Sequence, residues 1–198
     1  MSDISSILTK EEKEFIKGKN LNLSEFYDGR GQTRKEYHDN AKERDCYFVI
    51  GNPCLYGHRL RTRGGDCIIC NPFSITCQKR ESGKGVVYVA KCGRYSKVGM
   101  IENNIESLTT AIEKREYRLN SEGGYGDMTG WKIVKSWPLT KKAGKVEREA
   151  QQILKEHKVI KDYWYSNELR TTNELFLCSL DKAEEAVLTA LEKNKISI

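Results

Sequence analysis

Four cysteines fall within 25 residues, at Cys46, Cys54, Cys67 and Cys70, in a glycine-rich stretch. A segment that short cannot bury a core of its own and needs a staple. Cys54-Leu-Tyr-Gly-His58 forms a Cys-x3-His pair, and Cys67-Ile-Ile-Cys70 forms a Cys-x2-Cys knuckle. Thiolate and imidazole ligands at these spacings suit tetrahedral Zn²⁺. Four protein ligands leave no open position, so such a site is structural rather than catalytic. Cys46 is an alternative to His58 as the fourth ligand. Gly64-Gly65 makes the turn that brings the knuckle back, and Arg61 and Arg63 lie on the intervening loop.

The total of seven cysteines is odd, which argues against a disulfide framework and for a reducing compartment. A cytoplasmic protein is expected. No apolar run approaches the roughly 18 to 20 residues that cross a bilayer. The first residues, MSDISSILTKEEKEF, lack the basic start and apolar centre of a signal peptide. The net charge of +6 favours an anionic partner. Between residues 52 and 84, Arg59, Arg61, Arg63, Lys79, Arg80 and Lys84 face only Asp66 and Glu81. That imbalance suggests a nucleic-acid face.

The organisation along the chain is that of an α+β protein. A capping box, Thr9 with Glu12, predicts a helix over 10–17, and a charged helix is expected over 33–44. Gly85-Val-Val-Tyr-Val89 and Lys97-Val-Gly99 are β-rich segments joined by a polar turn with a glycine, which predicts a hairpin. A helix over 104–119, a strand over 131–137, a helix over 144–157 and a short strand over 174–178 follow. Tyr163-Trp164-Tyr165 forms an aromatic segment between the last two. Ala183, Ala186, Val187, Ala190 and Leu191 recur at helical spacing and predict a closing helix over 181–193. Three parts result: a helical, polar arm over 1–45, a zinc-binding module with a basic linker over 46–84, and a small α+β domain over 85–198.

The segment PCLYGHRLRTRGGDCIICNP resembles the treble-clef zinc knuckles of phage and bacterial nucleases. No second histidine follows Cys70 nearby to act as a base, so this treble-clef-like module is expected to bind DNA or to serve as a scaffold. Residues 85–178 resemble a GIY-YIG nuclease domain, in the branch whose second motif reads KIG-like. Gly85-Val-Val-Tyr88 stands at the first motif and Lys97-Val-Gly99 at the second. Arg115 with Leu119-Asn120, Val146-Glu147 and Glu174-Leu-Phe176 stand at the helical arginine, the glutamate helix and the closing strand.

This resemblance implies a short antiparallel sheet flanked by helices and a metal-dependent DNA endonuclease. It assigns Tyr88, Lys97, Arg115 and Glu147 to catalysis, with Mg²⁺ on Glu147. Arg59, Arg61, Arg63, Lys79, Arg80 and Arg118 are the expected nucleic-acid contacts. Each residue type suits the chemistry. A hard cation on one carboxylate keeps several waters. Arginine offers a planar fork to phosphate. A tyrosine hydroxyl can orient or deprotonate water. Lys97 stands where the family has its second tyrosine, and Gln151 stands where the related branch often has a histidine. Two other functions compete: a DNA-binding or regulatory protein without catalysis, and an RNA-directed nuclease using the aromatic segment. One such centre cuts one strand, so double-strand cleavage calls for a homodimer or sequential nicking.

Overall fold

The computed structural model describes residues 4–102 and 107–197. It divides into two compact units, Met1–Lys79 and Arg80–Ile198.

The first unit begins with helices α1 (Ile4–Ile7) and α2 (Lys10–Gly18). Thr9 and Glu12 close the capping box reciprocally, with Glu12 N–H donating to Thr9 Oγ1 and Thr9 N–H to Glu12 Oε2. Strand β1 (Phe26–Asp28), helix α3 (Arg34–Glu43) and strands β2 (Phe48–Ile50) and β3 (Leu60–Thr62) follow. β2 lies in the middle of this sheet, parallel to β1 and antiparallel to β3. Side chains alternate across it. Phe26, Phe48, Ile50 and Leu60 pack with Leu8, Ile16 and Ile68 on one face, while Tyr27 and Val49 pack with Tyr37, Ala41 and Cys46 on the other. Residues of the expected arm and of the cysteine module therefore share one core. The contact boundary falls after Lys79, inside helix α4 (Phe73–Ser82).

The second unit is built on a five-stranded antiparallel sheet. Its elements are β4 (Gly85–Cys92), β5 (Tyr95–Glu102), α5 (Leu108–Asn120), β6 (Lys132–Leu139), α6 (Ala143–Ile153), β7 (Lys158–Val159), β8 (Asp162–Tyr165), β9 (Glu168–Thr171), β10 (Leu175–Phe176) and α7 (Leu180–Lys193). The strand order is β6-β4-β5-β10-β7. The hairpin expected from the β-rich segments is β4–β5, with Tyr88 opposite Gly99. Helices cover both faces of β4, so residues 85–90 are all buried. Val87, Val89, Val98 and Met100 pack against α6 and α7, whereas Val86, Tyr88, Ala90 and Ile101 pack with Ala111 and Leu119 of α5 and with Trp131. The five α7 residues at helical spacing are all buried.

The described part of the α5 region begins at Ser107, which caps the helix by accepting from Thr110 N–H; the expected start at Asn104 lies outside the described residues. The aromatic segment forms a separate hairpin, β8–β9. Its tip residues Ser166 and Asn167 both have positive φ, 51° and 60°, as a type I′ turn requires. Strand alternation divides the three aromatics: Tyr163 is buried against Tyr125, and Trp164 is exposed.

Candidate functional site

In the first unit Cys54, His58, Cys67 and Cys70 converge, with all four ligand atoms within 4.8 Å of one another. The tight turn after Cys54 places the first pair. Gly57 N–H donates to the Cys54 carbonyl at 2.9 Å, and Gly57 adopts a φ of +82° that a side chain would resist. The backbone N–H groups of Tyr56 and Cys70 point at the sulfurs of Cys54 and Cys67. Cys54 Sγ lies 3.8 Å from Cys70 Sγ and 3.7 Å from His58 Nδ1, and His58 Nδ1 lies 3.2 Å from Cys70 Sγ. Zn–S and Zn–N bonds of ordinary length give tetrahedron edges of roughly 3.5 to 3.8 Å.

The cluster could hold Zn²⁺. Desolvation and the neighbouring thiols push Cys70 up to about 11; against desolvation, backbone hydrogen bonds bring Cys54 down to about 6. A cation would allow all three sulfurs to be thiolates. Cys46 is not part of the cluster. It is buried, and its thiol points at the carbonyls of Ser24 and Arg44.

The basic residues expected to bind nucleic acid have other partners in this unit. Arg59 donates to Glu12 and to the Ile7 carbonyl, both at 3.0 Å. Arg61 donates to the carbonyls of Asn52 and Gly65, at 2.8 and 2.9 Å. Lys79 pairs with Glu25 at 3.0 Å, and the Arg63 guanidinium lies 5.9 Å from the centre of the Tyr47 ring. Arg59, Arg61 and Lys79 tie elements of their own unit together, so their charges are already engaged.

In the second unit Tyr88, Arg115 and Glu147 line a single cavity of about 490 Å³, together with Arg80, Arg118 and Glu174. Tyr88 comes from the middle of β4, Arg115 from α5 and Glu147 from the second turn of α6. The cavity also takes in Lys114 and Glu102, so both signs of charge face it. Tyr88 is 1% exposed, and the Arg115 guanidinium sits 5.8 Å from its ring centre. Arg115 also donates to the Met100 carbonyl at 2.8 Å, which fixes the fork against the sheet. Gly99 is needed at its position: a Cβ there would sit 2.5 Å from the Tyr88 hydroxyl oxygen. Burial pushes the Tyr88 hydroxyl up, against the pull of Arg115, so it is a hydrogen-bond donor at neutral pH rather than a base.

Two of the cavity's carboxylates, Glu147 and Glu174, are poised differently. Burial pushes the Glu147 carboxyl up, and Arg80, at 2.8 Å, opposes that shift. Burial would raise Glu174 as well, but the Lys97 charge and hydrogen bond overcome it and hold Glu174 below the usual carboxylate range. Lys97 itself does not line the cavity. It is 3% exposed, touches the Glu174 carboxylate and lies 4.4 Å from the centre of the Tyr125 ring, whose hydroxyl accepts from Glu174 N–H. Lys97 thus meets the cavity wall only at Glu174. Gln151 donates to the Val98 carbonyl at 3.0 Å.

Among the charged members of the cavity wall, Glu102, Lys114 and Glu174 are not singled out as site residues by the sequence; Glu174 stands there only as the mark of a closing strand, and Arg80 only as an expected nucleic-acid contact. A charged residue one position before the apolar pair Leu175-Phe176 was the only available signal for Glu174. No family model, no curated protein and no solved structure matches the chain.

Proposed function

We propose that the cavity of the second unit hydrolyses phosphodiester bonds of DNA with Mg²⁺, and that the cysteine-histidine cluster is a structural zinc site. The observation that carries the reading is convergence. Tyr88, Arg115 and Glu147 are far apart in sequence and lie on three different elements, yet they line one cavity. The donor set fits the metal. Magnesium takes oxygen ligands and keeps several waters, and Glu147 and Glu174 bring carboxylate oxygens to a cavity with room for both. A buried carboxylate such as Glu147 also needs a positive neighbour, a role Arg80 fills here. When bound, Mg²⁺ would polarise the phosphoryl group as a Lewis acid.

The chain's own residues supply the rest. Arg115 and Arg118 offer guanidinium forks to the phosphate, with Arg115 already fixed by the Met100 carbonyl. Tyr88 keeps its proton and can donate a hydrogen bond that orients the attacking water or a phosphate oxygen. Lys97 keeps Glu174 ionised and aimed. Arg80 neutralises Glu147 and adds positive charge at the wall.

The test is digestion of supercoiled, single-stranded DNA and RNA substrates with and without Mg²⁺, comparing the wild type with Glu147→Ala. Cleavage that needs the metal and drops at least about a hundredfold in the variant is expected. Binding without cleavage would favour a DNA-binding protein instead, and cleavage of RNA alone would move the substrate assignment.

A further inference from the structure

The second unit has another cleft, of about 250 Å³, lined by Phe176 and by six polar residues, Arg148, Gln151, Gln152, Lys155, Lys158 and Asn173. Each of the six polar side chains can donate a hydrogen bond, and no carboxylate lines the cleft among the described residues. Two of the six are committed elsewhere: Arg148 to Glu81 at 2.6 Å and Gln151 to the Val98 carbonyl. Lys155 and Lys158 are exposed, and among the described residues no carboxylate pairs with either. The cleft therefore carries uncompensated positive charge flanked by the amides of Gln152 and Asn173. That is the donor set that phosphate oxygens accept from in nucleic-acid complexes.

Its position relative to the cavity is set by shared elements. Gln151 is one turn along α6 from Glu147, roughly 6 Å of helix rise, and Lys155 is a further turn on. Asn173 immediately precedes Glu174. At about 3.4 Å of axial rise per nucleotide, these offsets correspond to two to four nucleotides of a strand.

We propose that this cleft is a flanking phosphate subsite, which holds the backbone of a nucleic-acid strand a few nucleotides from the scissile bond. It rests on the nucleic-acid reading of the cavity and adds to it where the strand runs. Contacts of this kind position the strand without reading its sequence, so they weaken binding uniformly when lost.

The test is the salt dependence of binding of a fluorescent 20-nucleotide DNA strand, with no Mg²⁺ added so that nothing is cleaved. The wild type is compared with Lys155→Gln/Lys158→Gln and with a charge-matched control on α2, Lys10→Gln/Lys17→Gln. The slope of log affinity against log salt should fall by about 1.4 in the first variant, two phosphate contacts on a single strand, and stay unchanged in the control. Equal slopes in all three proteins, or equal losses in both variants, would overturn the subsite while leaving the nucleic-acid reading intact. A wild type that binds no strand would instead remove that reading, and the subsite with it. Inorganic phosphate is the remaining arm. Perturbation of the Gln152 and Asn173 side-chain amides by phosphate alone, with the DNA slope unaffected, would show a free-anion site and overturn the backbone assignment.

Discussion

In the first unit Arg59, Arg61 and Lys79 end on Glu12, on backbone carbonyls and on Glu25. In the second, Arg115 and Arg118 face a cavity shared with three glutamates, and Lys155 and Lys158 line a cleft with no acid among the described residues. The same residue types do opposite things. The first unit commits its cations to ion pairs and carbonyls that tie its own elements together, beside a small buried core and the cysteine-histidine cluster. The second has a sheet packed on both faces, and although many of its charges are paired, several of them line one cavity. A count of lysines and arginines along the chain cannot see this difference, because engagement depends on what lies nearby in space.

The largest test of the comparison is metal removal. Structural zinc contributes on the order of 10 kcal/mol to small zinc-held folds. Chelation, or Cys67→Ser, should collapse the backbone amide resonances of the first unit and leave those of the second in place. Loss of both units together would break the comparison. Metal analysis should find about one zinc per chain, as four ligands on one tetrahedral ion require.

Next comes a pair of charge deletions. Glu12→Ala strands the Arg59 guanidinium beside an almost fully buried position, which should cost about 3 kcal/mol. Arg118→Ala in the cavity should change stability by no more than about 0.5 kcal/mol, because it removes a group poised for a ligand. Equal costs in denaturant melts would mean that the cavity arginine is structural after all.

Gly99→Ala tests the packing of the second unit. The new methyl would press on the Tyr88 hydroxyl, at an expected cost of roughly 1 to 3 kcal/mol. Cleavage should fall with it, because the tyrosine must move. Unchanged stability and activity would remove Tyr88 from the site.

The smallest effect is a pH dependence. Burial opposes ionisation of Glu174, but Lys97 outweighs it, so the folded-state value lies below the ordinary 4.5. The folded protein binds this proton less tightly than the unfolded chain. The stability that Glu174 contributes is therefore complete above about pH 4.5 and is lost as pH falls through the lowered value. Glu174→Gln should flatten the acid limb of the second unit's thermal stability by roughly 1 kcal/mol or less. An acid limb as steep as in the wild type would show that the Lys97 contact is not maintained in solution.

Local patterns in the sequence carried much of the second unit. The β-rich run in 85–90, the polar turn and the helical spacing in α7 reflect burial by neighbours that are regular and close. The first unit was harder to read. β1, β2 and β3 each have three residues, too few to show a period, and Phe48-Val49-Ile50 is buried throughout. Helix α4 lacks an apolar stripe and was taken for a basic linker. Spacing left the fourth zinc ligand open between Cys46 and His58; only proximity in space selects His58. Tyr88, Arg115 and Glu147, which the resemblance names together, line one cavity. Lys97 sits behind Glu174 and not in the cavity wall, because sequence does not tell which carboxylate a buried amine pairs with.

The most direct measurement of the central claim is the Mg²⁺-dependent nicking rate of supercoiled plasmid for zinc-loaded wild type, Glu147→Gln and Arg115→Ala, all purified identically. Nicking by the wild type is expected, with a loss of at least about a hundredfold in each variant and unchanged zinc content. Nicking at the same rate in all three, or none in the zinc-loaded wild type, would contradict it.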